Sequence, residues 1–158
     1  MIQRIQSVYL FIAILCIGLV TFGKTLFTFL NDTLTLEISA FGVQQKEILV
    51  GSPDYSATFP AYLIGIGLMI LGIATLFSFK NVTRQHRFGR LFFYAYFAVV
   101  LSVILFYYFG DEQIANGITR KHLNVGYFIL VTGFPFTFLA NTGINRDKKL
   151  LDSLNRLR

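Results

Sequence analysis

Four long apolar runs divide the chain, at about Ile5–Gly23, Phe59–Phe79, Leu91–Phe109 and Leu123–Ala140, and none of them contains Asp, Glu, Lys, Arg or His. Each is close to the roughly 20 residues that a helix needs to cross a hydrocarbon core. The third is the most uniform: between Leu91 and Phe109 only Ser102 and the hydroxyl tips of Tyr94, Tyr96, Tyr107 and Tyr108 are polar. With Leu, Ile, Phe and Val each favouring insertion by roughly 0.3–0.6 kcal/mol near the helix centre, such a run partitions readily into lipid. Four such runs in 158 residues leave too little polar chain to cover a soluble core. The pattern predicts an all-α membrane protein, a four-transmembrane-helix bundle forming one membrane domain over residues 1–158.

The pattern changes period between the first two runs. Over Lys24–Thr58, Thr33, Thr35, Glu37 and Ser39 alternate with Leu34, Leu36, Ile38 and Ala40, the period of two that marks a half-buried strand. Asn31–Asp32 reads as a tight turn back to Leu26–Leu30, and Glu47–Val50 as a third strand after a break at Phe41–Gly42. An isolated hairpin is marginal in water. The expectation is therefore a small extracytoplasmic β-hairpin or sheet lying over the mouth of the bundle. Ser52–Pro53 marks a loop, and Pro60 the first turn of the second helix, where proline is tolerated.

Charge supplies an orientation. Arg4, the Lys80–Arg90 connection and the tail from Arg146 fall on one side of the four runs. Lys24, Lys46, Arg120 and Lys121 fall on the other, outnumbered there by Asp32, Glu37, Glu47, Asp54, Asp111 and Glu112. The positive-inside rule then makes both termini cytoplasmic. A net charge of +6 and a pI near 9.6 could indicate nucleic-acid binding, but the basic excess is accounted for by topology, and no nucleic-acid partner is expected. The 54% of hydrophobic residues against 14% charged agrees with a lipid-facing chain. The first run is too long for a signal-peptide core and lacks a small-x-small cleavage pattern, so it reads as a retained helix. Leu15 stands where a lipidated cysteine would be preceded by a small residue, and Cys16, the only cysteine, reads as a small packing hydrophobe.

Helices in lipid associate through close packing, which favours small residues. Ala61, Gly65, Leu68 and Gly72 follow i, i+4, i+7, i+11 spacing and form one stripe, read as a helix contact rather than chance glycine enrichment. In the fourth run Pro135 predicts a kink near Val131. Gly126, Thr132 and Gly133 there allow neighbours close.

Candidate chemistry is sparse. No acid, base or charge pair lies inside a run, where a proton relay or ion path would be found. His86 and His122 fall on opposite sides and cannot share a metal, and Asp111–Glu112 reads as a loop start. No phosphate-binding glycine loop or nucleophile–base set is legible. The expectation is a protein that is not an enzyme, with no catalytic, metal or cofactor-binding residues.

The tail, 141–158, is more informative. Leu150, Leu151, Leu154 and Leu157 share one face of a helix beginning near Asp147. Lys148, Asp152 and Arg156 run down another at i, i+4 intervals. With Arg146, Lys149 and Arg158 this makes a basic amphipathic cytoplasmic helix. Both readings of it stand: a helix lying on anionic headgroups, or one that docks a protein partner.

The ends resemble a known family. The opening Met1-Ile-Gln-Arg-Ile-Gln-Ser-Val-Tyr-Leu10 and the closing stretch from Gly143 to Arg158 are similar to those of small four-helix inner-membrane proteins of Bacteroidota, described only as a numbered domain of unknown function. The resemblance implies the bacterial inner membrane and brings no activity or ligand. The leading expectation is a non-catalytic membrane subunit or scaffold of a larger assembly, with secretion or protein insertion as one such setting. The alternative is a small-molecule or lipid transporter, acting as a homo-oligomer and using a cavity beside Pro135.

Overall fold

The computed structural model describes residues 2–30, 34–47, 55–58, 60–109 and 120–156. Among these the order is α1 (Ile2–Gly23), β1 (Phe27–Leu30), β2 (Leu34–Ser39), β3 (Gly42–Glu47), β4 (Tyr55–Thr58), α2 (Tyr62–Phe77), a 3-10 turn (Ser78–Lys80), α3 (Val82–Phe109), β5 (Arg120–Leu123) and α4 (Val125–Arg156). The protein is mostly helical with one small antiparallel sheet. Three stretches are long and apolar enough to cross a membrane: Ile5–Gly23, Val82–Phe109 and Val125–Leu150.

The helix bounds differ from the apolar runs in instructive ways. α2 has 16 residues, about 24 Å at the α-helical rise, instead of the expected Phe59–Phe79. Its last turn tightens into the 3-10 segment, and Ser78 Oγ donates to the Ala74 carbonyl at 2.7 Å. α3 begins nine residues before the apolar run does, because Asn81 caps it: the Arg84 N–H donates to Asn81 Oδ1 at 3.3 Å, and the Gln85 N–H to the Asn81 carbonyl at 2.9 Å. Arg84, Arg87 and Arg90, expected in a connection, therefore lie on the helix. Leu123, expected to open the fourth helix, belongs to β5. The fourth helix and the amphipathic tail form one 32-residue helix that passes through Pro135. Packing carries it across the expected junction: Ile144 is fully buried, and Gly143 lies against Gln6 of α1.

The four helices close into a ring. Glycine contacts fix the register. Gly65 meets Thr21 and Gly72 meets Ile14, so α2 runs antiparallel to α1. Gly126, Gly133 and Gly143 meet Thr25, Cys16 and Gln6, so α4 runs antiparallel to α1 on its other side. α3 closes the ring through Phe92 against Gly72, and through Tyr96, whose hydroxyl donates to the Leu130 carbonyl of α4 at 2.9 Å. Gly133 gives that tyrosine its room, since a Cβ there would collide with the hydroxyl. The bonded carbonyl is next to that of Val131, which Pro135 deprives of its helical donor.

All strand pairs are antiparallel, in the order β4-β3-β2-β1-β5. The expected alternation is present in β2: Leu36 and Ile38 are buried, while Thr35, Glu37 and Ser39 are half-buried. Pairing resumes directly at Gly42, whose φ of 143° suits glycine, so β3 starts five residues earlier than expected and the Phe41–Gly42 break is the hairpin turn itself. The expected turn at Asn31–Asp32, the loop at Ser52–Pro53 and the acids Asp111 and Glu112 lie outside the described residues. β5 comes from the α3–α4 connection and pairs with β1, Thr28 opposite His122, so the sheet joins both connections at one end of the bundle. The start of α1, the α2–α3 connection and the end of α4 share the other end.

Candidate functional site

The sheet end is held by both backbone and side chain. The Leu26 N–H donates to the Ile38 carbonyl at 2.7 Å, and the Asn124 N–H to the Leu26 carbonyl at 3.0 Å. The Asn124 amide donates to Thr25 Oγ1 at 3.0 Å and Thr28 Oγ1 at 2.7 Å, joining the α4 start to the α1–β1 corner. The inward face of β1 is aromatic: Phe27 and Phe29 are fully buried and lie 5.6 and 6.2 Å from the Tyr107 ring. The Lys121 ammonium stands 5.9 Å over Phe29 and 5.7 Å over Tyr107, and donates to the Tyr107 carbonyl at 3.4 Å near the C-terminus of α3, where a cation is favoured.

Beneath this roof lies a cavity of about 530 Å³. Ile17, Val20 and Thr21 of α1 form one wall, Ile64, Gly65 and Leu68 of α2 with Ala61 just before it a second, and Val99, Ser102, Val103 and Phe106 of α3 a third. Leu130 of α4 completes it, and Phe27, Ile38, Gly42 and Val43 look down from the sheet. Among the described residues no charged side chain is in the lining. Of its hydroxyls, that of Ser39 donates to the Gly42 carbonyl and that of Ser102 to the Ala98 carbonyl, while the Thr21 side chain lies against Gly65. Ile14, Gly72 and Phe92 close the bundle on the turns below. Pro135, beside which a cavity was expected, is exposed and does not line this one.

The opposite end is polar. The Gln6 amide donates to Asp147 Oδ2 at 2.9 Å, linking the two ends of the chain. Gly89 admits Ile144, with Asn141 and Thr75 beside it. His86 is half-buried on α3 here, whereas His122 is exposed in β5 at the sheet end. Among the described residues no group of three His, Cys, Asp or Glu is placed to hold a metal ion.

The residues singled out from sequence fall in three places. Gly65, Gly72 and Gly133 lie against other helices and Gly126 against the Lys24–Thr25 corner, while Ala61, Gly65 and Leu68 line the cavity. In the tail Arg146, Lys149 and Leu150 are exposed and Lys148 is half-buried. Leu151, Leu154 and Arg156 belong to α4 with their side chains outside the described residues, and Leu157 and Arg158 lie wholly outside them. Sequence reasoning passed over Tyr96, Asn124, Ala140 and Gly143. Ala140 was legible, since Gly126, Gly133 and Ala140 repeat every seven residues and so share a helix face.

A comparison with curated proteins finds no match to this chain. The chain matches the model of the family described as Domain of unknown function (DUF4293) over residues 2–157, nearly its whole length, and it belongs to that family.

Proposed function

We propose that this chain is a non-catalytic, multi-pass subunit or scaffold of a larger assembly in the bacterial inner membrane, with both termini in the cytoplasm. Four helices cross the bilayer in this reading, α2 reaching the basic side with the help of the 3-10 turn. The outward faces support it. Val8, Phe11, Leu15, Leu19 and Phe22 on α1 are about half exposed, as are Leu101 and Leu105 on α3, so the surface at mid-bundle is as apolar as the interior. Arg84, Arg87, Arg90, Arg146, Lys148 and Lys149 gather at the end away from the sheet, the distribution that the positive-inside rule associates with the cytoplasm.

The observation that carries the subunit reading is the end of α4. Past the Gln6–Asp147 contact, Leu150 is 57% exposed and is flanked by exposed Arg146 and Lys149, an apolar and basic surface on a continuous helix. Secretion or protein insertion machinery is a setting that suits such a scaffold. Leu150→Asp with Leu154→Asp should release stoichiometric partners on co-purification from the native host, because a carboxylate in an apolar groove is uncompensated. Arg156→Gln with Arg158→Gln should leave them bound. Partners kept at wild-type levels by the Leu→Asp pair would remove tail docking. The transporter reading is weaker, because the side chains of Ile14 and Phe92, packed on Gly72, block the cavity from below.

A further inference from the structure

We infer that the cavity beneath the sheet is a binding site for one hydrocarbon chain of a membrane lipid, entering sideways between α2 and α3. Its size falls within the roughly 300–1,000 Å³ of ligand pockets. Its chemistry excludes most ligands. Among the described residues no charged side chain lines it, the Ser39 and Ser102 hydroxyls already donate to backbone carbonyls, and the remaining lining hydroxyl is that of buried Thr21, so it has little to offer a headgroup, a sugar or an ion. Water is disfavoured too, since an apolar cavity gives it too few polar partners.

The position of the mouth selects the occupant. α2 and α3 are packed together towards the 3-10 turn, where Gly72 receives Phe92 and Thr75 faces Gly89. Towards the sheet the lining includes exposed positions on both helices: Ile64 at 55%, Phe106 at 41% and Ser102 one helical turn before Phe106. Leu63 on α2 and Leu101 and Leu105 on α3, all exposed, surround that side. A solute from water would have to cross this apolar surface, whereas an acyl or isoprenoid chain in the surrounding bilayer already touches it. The sheet is the roof, with Ile38 and Val43 facing the space, and a chain inside would contact the three helix walls and the roof at once.

The inference holds whether or not the tail docks a partner, and its test does not involve the tail. The full chain would be reconstituted in phosphatidylcholine nanodiscs carrying a lipid with a diazirine on one acyl chain, irradiated, and mapped by peptide mass spectrometry. Labels are expected on the lining residues Leu68, Val99 and Val103 as well as on outward Leu101 and Leu105. Val103→Trp, which fills the space, should lower the inward labels at least fivefold, while Leu105→Trp on the outer face leaves them at wild-type levels. If Val103→Trp fails to fold, Ser102→Phe at the mouth should produce the same selective loss. Wild-type labels confined to the outward residues would overturn the inference, as would inward labels that a folded Val103→Trp or Ser102→Phe variant leaves unchanged.

Discussion

The two ends of this bundle are closed by different means. At the sheet end, backbone pairs with backbone: β1 lies between β2 and β5, and the α1–β1 corner bonds through its main chain to the start of α4. At the basic end, helices meet through side chains, Gln6 on Asp147 and Ile144 beside Gly89. Backbone closure gives a fixed lid with little freedom to adjust. Side-chain closure leaves Leu150 and Ser153 of α4 exposed, with room to accommodate change.

The sharpest way to break this comparison is to ask whether the ends face different compartments. In a Cys16→Ala background, His122→Cys should react with a membrane-impermeant maleimide on intact spheroplasts, and Lys149→Cys only after lysis. Equal reaction of both before lysis would abolish the two-sided reading. Next in size is a matched pair of glycine substitutions. A methyl group on Gly126 would lie 2.5 Å from the Thr25 carbonyl oxygen, which the sheet holds in place, so Gly126→Ala should destabilise by about 1–3 kcal/mol. At Gly143 the same group would lie 2.5 Å from Gln6 Cγ, a flexible side chain. Gly143→Ala, aided by a helix propensity gain of up to about 1 kcal/mol, should stay within about 1 kcal/mol of wild type. Denaturant titration in detergent would measure both, and equal losses would show that the ends are equally rigid. The smallest effect expected is between polar deletions. Asn124→Ala removes two hydrogen bonds and should lower stability by about 2 kcal/mol; Gln6→Ala removes one and should lower it by about 1 kcal/mol.

The same contrast separates what was legible in the sequence from what was not. Apolar runs reveal helices because lipid or core burial depends on local composition, so all four helices were visible, and the period of two revealed β2. Helix ends are decided by caps and neighbours instead. α3 extends through Arg84, Arg87 and Arg90 because Asn81 caps it, although those charges interrupt the apolar run. β5, reading Arg-Lys-His-Leu, has no alternation of its own and is a strand only because β1, more than ninety residues earlier, offers it an edge. Of the candidate site, the glycines were legible by spacing. The cavity was not, since it exists only where three helices and the sheet diverge. The tail could be recognised as amphipathic, but its union with α4 depends on Ile144 packing beside Gly89 of α3 and Gly143 against Gln6 in the first turns of α1.

The bond between Gln6 and Asp147 spans 141 residues, and this long separation sets a timetable for biogenesis. A ribosome adding roughly 5–20 residues per second delivers the partner of Gln6 on the order of 10 s after Gln6 itself. Through that interval α1 carries Gln6, Tyr9 and Cys16, whose α4 neighbours Gly143, Phe136 and Gly133 have not been made, and β1 has an open edge until β5 emerges. The nascent chain therefore depends on whatever shelters an unfinished helix and an unpaired strand edge. A chain truncated before α4 should be a substrate for membrane proteolysis, because the last helix to be synthesised is the one that completes the ring.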